Sequence, residues 1–559
     1  MSTAQSSKEH PKHLEPPAES LKPTRQSKSR YATTKELWAI IPALLLLTFL
    51  VGLDKTIIAT ATPRITDTFH SLNHVGWYAS SYLLTFGSFQ LLFGRIYTFF
   101  HPKWVLISAI AIFEVGSALC GTASGSRALI VGRAVSGLGA SGIFGGAMVV
   151  IVHTIPLHRR PTYQGIVGGV SGIASVVAPL LGGAFTSKVS WRWCFYINLP
   201  IGGLAVLLLV LVLDLEFPCK EALTWRQKAA KLDPLGTIAL VPGIVCLLLA
   251  LQWGGSTFSW GDWRIILLFI LFGTLTLAFA SIQLWKQDSA TVPPRIVKNR
   301  SILSAMYYAL VNGGVMIILV YYIPLWFQAI KGSSAVHSGI QNLAAILALV
   351  FGNTFTGPII TRVGYYAPFM IASTVIASFG TGMITTWGVG TGPGEWIGYQ
   401  VLWGLGFGIG MQQSMLAVQA SLERKDIATG IAMVVLCQTL GGAIFTSVAQ
   451  NIFANKLIQN LGHLSNSDPT TVVQIGATEF RSAVSTQDLP LVLTAYNRAV
   501  VSAFRVALGL SCASIIGALT VEWKTIKKSK PAPAEDVEGK MAKAVDISKH
   551  DSENGSGVA

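Results

Sequence analysis

Apolar residues along this chain come in long unbroken runs rather than in alternation or in single amphipathic stripes. Windows at 38–59, 77–97, 104–122, 128–152, 164–187, 194–214, 234–253, 264–284, 302–323, 338–360, 367–388, 396–419, 427–451 and 501–520 each approach the roughly 20 residues that cross a bilayer as a helix. The pattern predicts an all-α polytopic membrane protein with about 14 transmembrane helices. An even number of spans puts both tails on one side of the membrane.

A second pattern lies over the first. GRAVSGLGASG at 132–142 is echoed by GYQVLWGLGFG at 398–408. Each copy is followed by a short basic stretch, Arg159 and Arg160 or Arg424 and Lys425, and then by LGGA, at 181–184 and 440–443. Duplication of a multi-helix unit is a mark of one class of transporters. The echo predicts two six-helix halves, 37–214 and 301–522, with 215–300 forming a linker that carries two extra spans as an inserted hairpin. Segments 1–36 and 523–559 read as disordered cytoplasmic tails, and 453–500 as a polar non-cytoplasmic loop. The copies differ in chemistry, because Gln400 stands where the first half has Arg133.

Composition sharpens this reading. With 51% hydrophobic and 12% charged residues, the apolar runs cannot all be buried in ordinary globular cores. The net charge of +15 suggests nucleic acid until its placement is considered. Of 41 Lys and Arg, roughly 29 fall in the tails and alternate loops, about 9 in the opposite loops and about 3 within spans. That distribution sets topology, with both termini cytoplasmic, and argues against a nucleic-acid partner. The first 35 or so residues are polar and lack the apolar core of a signal peptide, so the first span serves as the anchor. Six cysteines lie mostly in or beside apolar spans without metal-type spacing, and neither a disulfide framework nor a cofactor is implied.

Charges inside spans are the candidate chemistry, since each costs about 2.5–3.5 kcal/mol to insert. Asp54 and Arg133 each lie about five residues from the outer ends of their spans, and hence share a depth. If those helices are neighbours, a carboxylate whose charge depends on a nearby guanidinium can load and release a proton, whereas a permanently paired structural bridge would do neither. Glu114, near the middle of the third span, is either a second proton site, a contact for a cationic substrate or a structural residue. Lys55 points about 100° away from Asp54 and can snorkel outward. GIVGGVSGIASVVAPLLGG at 165–183 combines small residues, which let helices approach closely, with Pro179, which removes a backbone hydrogen bond.

Taken together, LDKTIIATATPRI (53–65), GRIYTFFHPKWV (94–105), LIVGRAVSGLGASG (129–142), the antiporter-like signature ending in APLLGG (178–183), WRWCFYINLPIGG (191–203) and YYIPLWFQAIKG (321–332) resemble the major facilitator superfamily. The likeness is to its fourteen-span drug:proton antiporters of fungal toxin-efflux type, over about residues 37–525. It implies proton-coupling roles for Asp54 and Arg133 and conformational roles for Gly168, Pro179, Gly182 and Gly183. It also implies a cytoplasmic gate at Gly94, Arg95 and Lys103. One departure matters, because Thr98 stands where the family's gate loop has an acidic residue, which puts a carboxylate-centred relay there in doubt.

The expected protein is a secondary active exporter of small hydrophobic compounds such as a toxin, metabolite or drug, driven by protons and acting as a monomer in the lipid bilayer. Polar and aromatic groups within apolar spans mark its cavity: Tyr82, Gln90, Asn312, Asn353, Trp403, Gln412, Gln413 and Gln438. The plasma membrane is its expected location, with a vacuolar or vesicle membrane as the alternative. Proton-coupled uptake of a siderophore or basic amino acid is the rival within transport, disfavoured by the APLLGG resemblance, and a receptor or membrane enzyme the rival outside it. No G-x-x-x-x-G-K-[ST] nucleotide loop or His-rich metal cluster within a span supports ATP-driven pumping or metal catalysis.

Overall fold

Helix starts in this chain are written in local side chains. Thr33 and Glu36 form a reciprocal capping box, with the Thr33 amide donating to Glu36 Oε2 at 2.7 Å and the Glu36 amide to Thr33 Oγ1 at 3.4 Å. Asn299 caps the Ser301 amide at 3.0 Å, and prolines occupy the first turn where no amide partner is lost. The computed structural model describes residues 31–71, 74–213, 232–255, 257–461 and 487–527. Expectations for tail residues 1–30 and 528–559, linker residues 214–231 and loop residues 462–486 lie outside the described residues.

The first bundle comprises α1 (Thr34–Phe69), α2 (Val75–Ser88), α3 (Gln90–Phe99), α4 (Pro102–Gly121), α5 (Ser126–Thr154), α6 (Arg160–Lys188), α7 (Trp193–Tyr196) and α8 (Asn198–Val212). A hairpin follows, α9 (Pro234–Trp253) and α10 (Trp263–Lys286), and then the one-turn α11 (Pro294–Val297). The second bundle comprises α12 (Arg300–Lys331), α13 (Ala335–Gln341), α14 (Leu343–Val363), α15 (Ala367–Ile384), α16 (Pro393–Gly410), α17 (Gln413–Ser421), α18 (Ile427–Leu461) and α19 (Leu489–Thr520).

Thirteen helical segments among the described residues are long and apolar enough to cross a membrane. The second span makes about fourteen, because α2 and α3 are separated only at Phe89. The hydrogen-bond ladder continues across that residue, from the Phe89 amide to Thr85 O and from the Phe93 amide to Phe89 O, both 3.1 Å. The chain is therefore a multi-pass membrane protein. Helices reach further into the polar loop than the sequence suggested. Residues 453–461 belong to α18 and 489–500 to α19, because Leu457, Leu461, Val492, Ala495 and Tyr496 bury one face of each extension.

Within the first bundle α1 packs on α5, α6 and α8, and α4 packs on α5 and α8. In the second, α12 packs on α18 and α19, and α16 on α14 and α15. The bundles meet where α6 lies along α14 and α3 along α18. These contacts use the end of α6 near Pro161: Thr162 and Thr361 hydroxyls are 3.1 Å apart, and a Cβ at Gly165 would lie 2.6 Å from Asn353 O. The hairpin lies against both bundles, since α9 touches α2 and α18. Ser447 donates to Leu251 O at 3.2 Å and Trp260 Nε1 to Asn451 Oδ1 at 2.8 Å.

Candidate functional site

Residue periodicity on α1 turns Asp54 toward α5 and α8, and Gly52, two residues earlier, toward α6. Asp54 is completely buried, with Arg133 of α5 beside it and its Nη1 2.6 Å from Asp54 Oδ2. Arg133 also donates from Nε to Tyr78 O at 3.0 Å and lies over the Tyr82 ring, 4.4 Å from its centre. A guanidinium enclosed in this way needs every partner, since an unpaired charge in hydrocarbon costs several kcal/mol. The shared depth read from the sequence becomes a contact here. Lys55, about 100° further round the helix, is exposed.

The second carboxylate oxygen has a partner that the sequence reading missed. Asn198, the first residue of α8, donates from Nδ2 to Asp54 Oδ1 at 3.0 Å and to Ser117 Oγ of α4 at 3.1 Å. Asn198 and Ser117 are both fully buried. A lone amide within the otherwise apolar INLPIGG stretch was the available signal. Glu114 lies one turn before Ser117 on α4, and its carboxylate occupies the space that a side chain at Gly202 of α8 would take. Neither Glu114 oxygen has a hydrogen-bond partner among the described residues. The structure thus gathers Asp54, Arg133, Asn198, Ser117 and Glu114 where α1, α4, α5 and α8 converge.

The expected cavity residues divide into separate places. Asn312 and Gln438 line one small cavity together with Tyr308, Phe407, Met411 and Ser414. Asn353 and Gln412 meet at the α6–α14 contact, both facing Gly168. Gln413, the first residue of α17, turns back to donate to Ile409 O of α16, 2.8 Å away. Gln90 accepts from Ser141 of α5 at 3.0 Å, and Tyr82 lies against Arg133. Trp403 of α16 packs against α15, its backbone against Gly380 and its ring 5.8 Å from that of Phe407.

The glycines expected to set conformation also differ in surroundings. A side chain at Gly168 would meet Asn353 and Gln412 of the other bundle, and one at Gly182 would meet Thr60 and Ile57 of α1. Gly183 has no atom within 4 Å of such a side chain, so it is not a point of close approach. Pro179 is exposed on α6, which continues through it.

At the expected gate, a Cβ at Gly94 would lie 2.6 Å from Ala432 Cβ and 3.2 Å from Ala428 O of α18. Arg95 donates to Ser289 O, 3.1 Å away, in the segment that follows the hairpin. That segment is bound in turn to the second bundle: Arg295 of α11 holds Asp426 through both terminal nitrogens, at 2.7 and 2.8 Å, and Asp288 through Nε at 2.6 Å. Lys103 is not part of this group, because its Nζ donates to Val210 O at the end of α8, 3.0 Å away. Thr98 only bonds back to Gly94 O at 2.9 Å, and the carboxylates on this side come from Asp288 and Asp426 instead.

The linker is anchored by Asp233, a fully buried residue in the left-handed region (φ 52) at the start of α9. Its carboxylate accepts from the amides of Gly236 and Thr291 (both 3.0 Å), Thr291 Oγ1 (2.9 Å), Gln283 Nε2 (3.0 Å) and Lys286 Nζ (2.8 Å). Burial alone would push this carboxyl up; Lys286, Gln283 and the two amides outweigh it and hold the group well below the usual carboxylate range.

A family model described as Major Facilitator Superfamily matches residues 44–446. An "MFS-type efflux pump MFS1" of Arthroderma benhamiae is 50% identical over 509 residues, covering 90% of this chain and 94% of the relative. "Efflux pump aflT" of Aspergillus parasiticus is 48% identical, covering 90% and 98%, and "Efflux pump roqT" of Penicillium rubens 47%, covering 90% and 94%. Among solved structures, the human organic anion transporter MFSD10 (TETRAN) superposes with a TM-score of 0.57 at 12% identity, covering 87% of this chain and 99% of its own. The proton:xylose symporter XylE does so with a TM-score of 0.55 at 14% identity, covering 88% and 98%. At those identities the two structures speak for the fold alone.

Proposed function

The chain belongs to the Major Facilitator Superfamily, a family of transporters rather than enzymes, and from that premise we propose that it exports small hydrophobic molecules of the secondary-metabolite type in exchange for protons. The direction rests on its likeness, at 45–50% identity over nearly the whole chain, to fungal proteins named efflux pumps. Proton exchange is carried by one observation, the buried Asp54 carboxylate held 2.6 Å from Arg133. A proton on Asp54 neutralises one member of that pair and changes what holds α1 to α5, so loading and unloading can be tied to motion of the bundles.

The distribution of basic residues supports a cytoplasmic placement of both tails and the 94–103 loop, and the membrane we propose is the plasma membrane, with a vacuolar or vesicle membrane as the alternative. Closure of the cytoplasmic side is then the approach of Gly94 to α18, of Gly168 to α14, and the linker contacts of Arg95 and Arg295. Opening it requires all of these to separate while the far ends converge. A gradient of about 2 pH units supplies about 2.7 kcal/mol and 100 mV about 2.3 more, so one proton per cycle sustains an outward ratio on the order of thousands. Protein in liposomes under an imposed pH gradient tests the reading with a panel of fluorescent hydrophobic compounds. Gradient-dependent accumulation that collapses with a protonophore supports it, and accumulation indifferent to the gradient overturns it.

A further inference from the structure

Asp54 has a carboxylate oxygen on each side, and only one faces Arg133. The other meets the Asn198 amide, whose orientation follows from chemistry: a carboxylate accepts but does not donate, so Nδ2 must be the atom 3.0 Å from Asp54 Oδ1. The second hydrogen of the same nitrogen goes to Ser117 Oγ at 3.1 Å. Asn198 Oδ1 is then left buried without a partner among the described residues, an arrangement that costs free energy unless the oxygen is used in another state.

We propose that Asn198 is the positioning residue that reads the protonation state of Asp54. With Asp54 ionised, the amide donates to it as seen. When a proton taken from water arrives on Oδ1, the carboxyl becomes a donor on that side. The amide turns through about half a circle, and its carbonyl oxygen accepts from the new O–H. Ser117 permits both orientations because its hydroxyl accepts from Asn198 Nδ2 in the first state and donates to Asn198 Oδ1 in the second. Releasing the proton to water on the other side restores the first orientation. No bond other than the O–H of Asp54 is made or broken.

The turn has a structural output because Asn198 starts α8 and directly follows α7, with Trp193–Tyr196 packed against α1 and α6. A change at Asp54 is thereby felt in a helix that Arg133 does not touch through any hydrogen bond. The charged and titratable groups around Asp54 are Arg133 from α5, Glu114 and Cys120 from α4, Tyr82 from α2, Cys194 from α7 and its neighbour Lys55. Residues 164–187 of α6 and all of α8 contribute none.

This inference rests on Asp54 as the proton carrier, and infrared pH titration of the full chain in nanodiscs separates the two. The protonated-carboxyl band that vanishes in Asp54→Asn reports Asp54, and the side-chain amide band that vanishes in Asn198→Leu reports Asn198. The expected result is that the amide band changes with the same midpoint as the carboxyl band, and that Asn198→Leu moves the carboxyl midpoint up by about one pH unit, the difference between a charge-assisted and a neutral hydrogen bond. Asn198→Asp, close in volume, guards against a folding defect and should move it further in the same direction. An amide band that ignores pH, or an unmoved midpoint in both variants, overturns the role of Asn198 while leaving Asp54 intact. A parent whose carboxyl bands are unchanged by Asp54→Asn overturns both readings.

Discussion

Arg295 grips Asp426 with both terminal nitrogens, Nη1 2.7 Å from Oδ2 and Nη2 2.8 Å from Oδ1, and so fastens the segment after the hairpin to the second bundle. The same segment is fastened to the first bundle by Arg95 at Ser289. Arg295 is about half exposed, so the pair contributes on the order of 1 kcal/mol despite its good geometry. Arg295→Ala should therefore raise the open population of this end about fivefold, seen as faster labelling of a cysteine at Ala432 by an impermeant maleimide in inside-out vesicles. Arg295→Lys cannot reproduce the two-pronged contact and should lie closer to Ala than to the parent. Equal labelling in all three proteins would show that the clasp carries no weight in closure.

Asp54 and Arg133 should behave as a unit. Arg133 is 1% exposed, and Asp54 is its one carboxylate contact among the described residues. Asp54→Ala and Arg133→Ala should each cost about 3–5 kcal/mol, and the double variant much less than their sum. Thermal unfolding of the four purified proteins gives the coupling. Asp54→Asn, which keeps an acceptor for Arg133, should fold best of the single variants and still fail to export uphill.

Acid should loosen the hairpin before the bundles. Asp233 is held below its ordinary range in the folded protein, so its stabilisation is complete above the unfolded value of about 4 and fades as pH falls through the folded value. Hydrogen exchange in residues 287–299 of the parent should rise progressively as pH falls below about 4. In Asp233→Asn it should already be high at neutral pH, reflecting a local loss of about 3 kcal/mol, and should lack the acid step. An acid step of the same size in both proteins would assign it to other carboxylates.

Neighbouring glycines on α6 should differ sharply. Gly182→Val would drive a side chain into Thr60 and Ile57 of α1, an overpacking that costs about 1–3 kcal/mol, and should reduce transport at normal abundance. Gly183→Val meets nothing within 4 Å and should pump as the parent does. Equal loss in both would mean that the contact with α1 is not what makes position 182 sensitive.

Span number and the depth of Asp54 and Arg133 were legible because hydrophobic length and helical rise are local properties of the sequence. Partners drawn from other helices were not. Asn198 was visible as a lone amide in an apolar stretch, but nothing nearby marked Asp54 as its target. Asp before Pro234 marks a helix start and agrees with the Gly236 amide it caps, yet the other donors to Asp233 lie 50 to 58 residues on, at Gln283, Lys286 and Thr291. Lys103 was grouped with Arg95 by the family resemblance of the 94–105 motif, and the turn at His101 and Pro102 sends it to α8 instead. Gly183 was grouped with Gly182 by motif, although adjacent residues point about 100° apart on a helix.

The outer helix of the hairpin, α10, buries only Ile265 and Gln283 among its residues, so in a bilayer acyl chains would be its principal neighbours. Yet Gln283 and Lys286, at its end, hold Asp233 and with it the segment that Arg295 fastens to Asp426. A helix surrounded by lipid adjusts its tilt to the thickness of the bilayer. Membrane thickness thereby enters the balance between open and closed ends through a helix that belongs to neither bundle, and the same pump should turn over at different rates in short-chain and long-chain lipids.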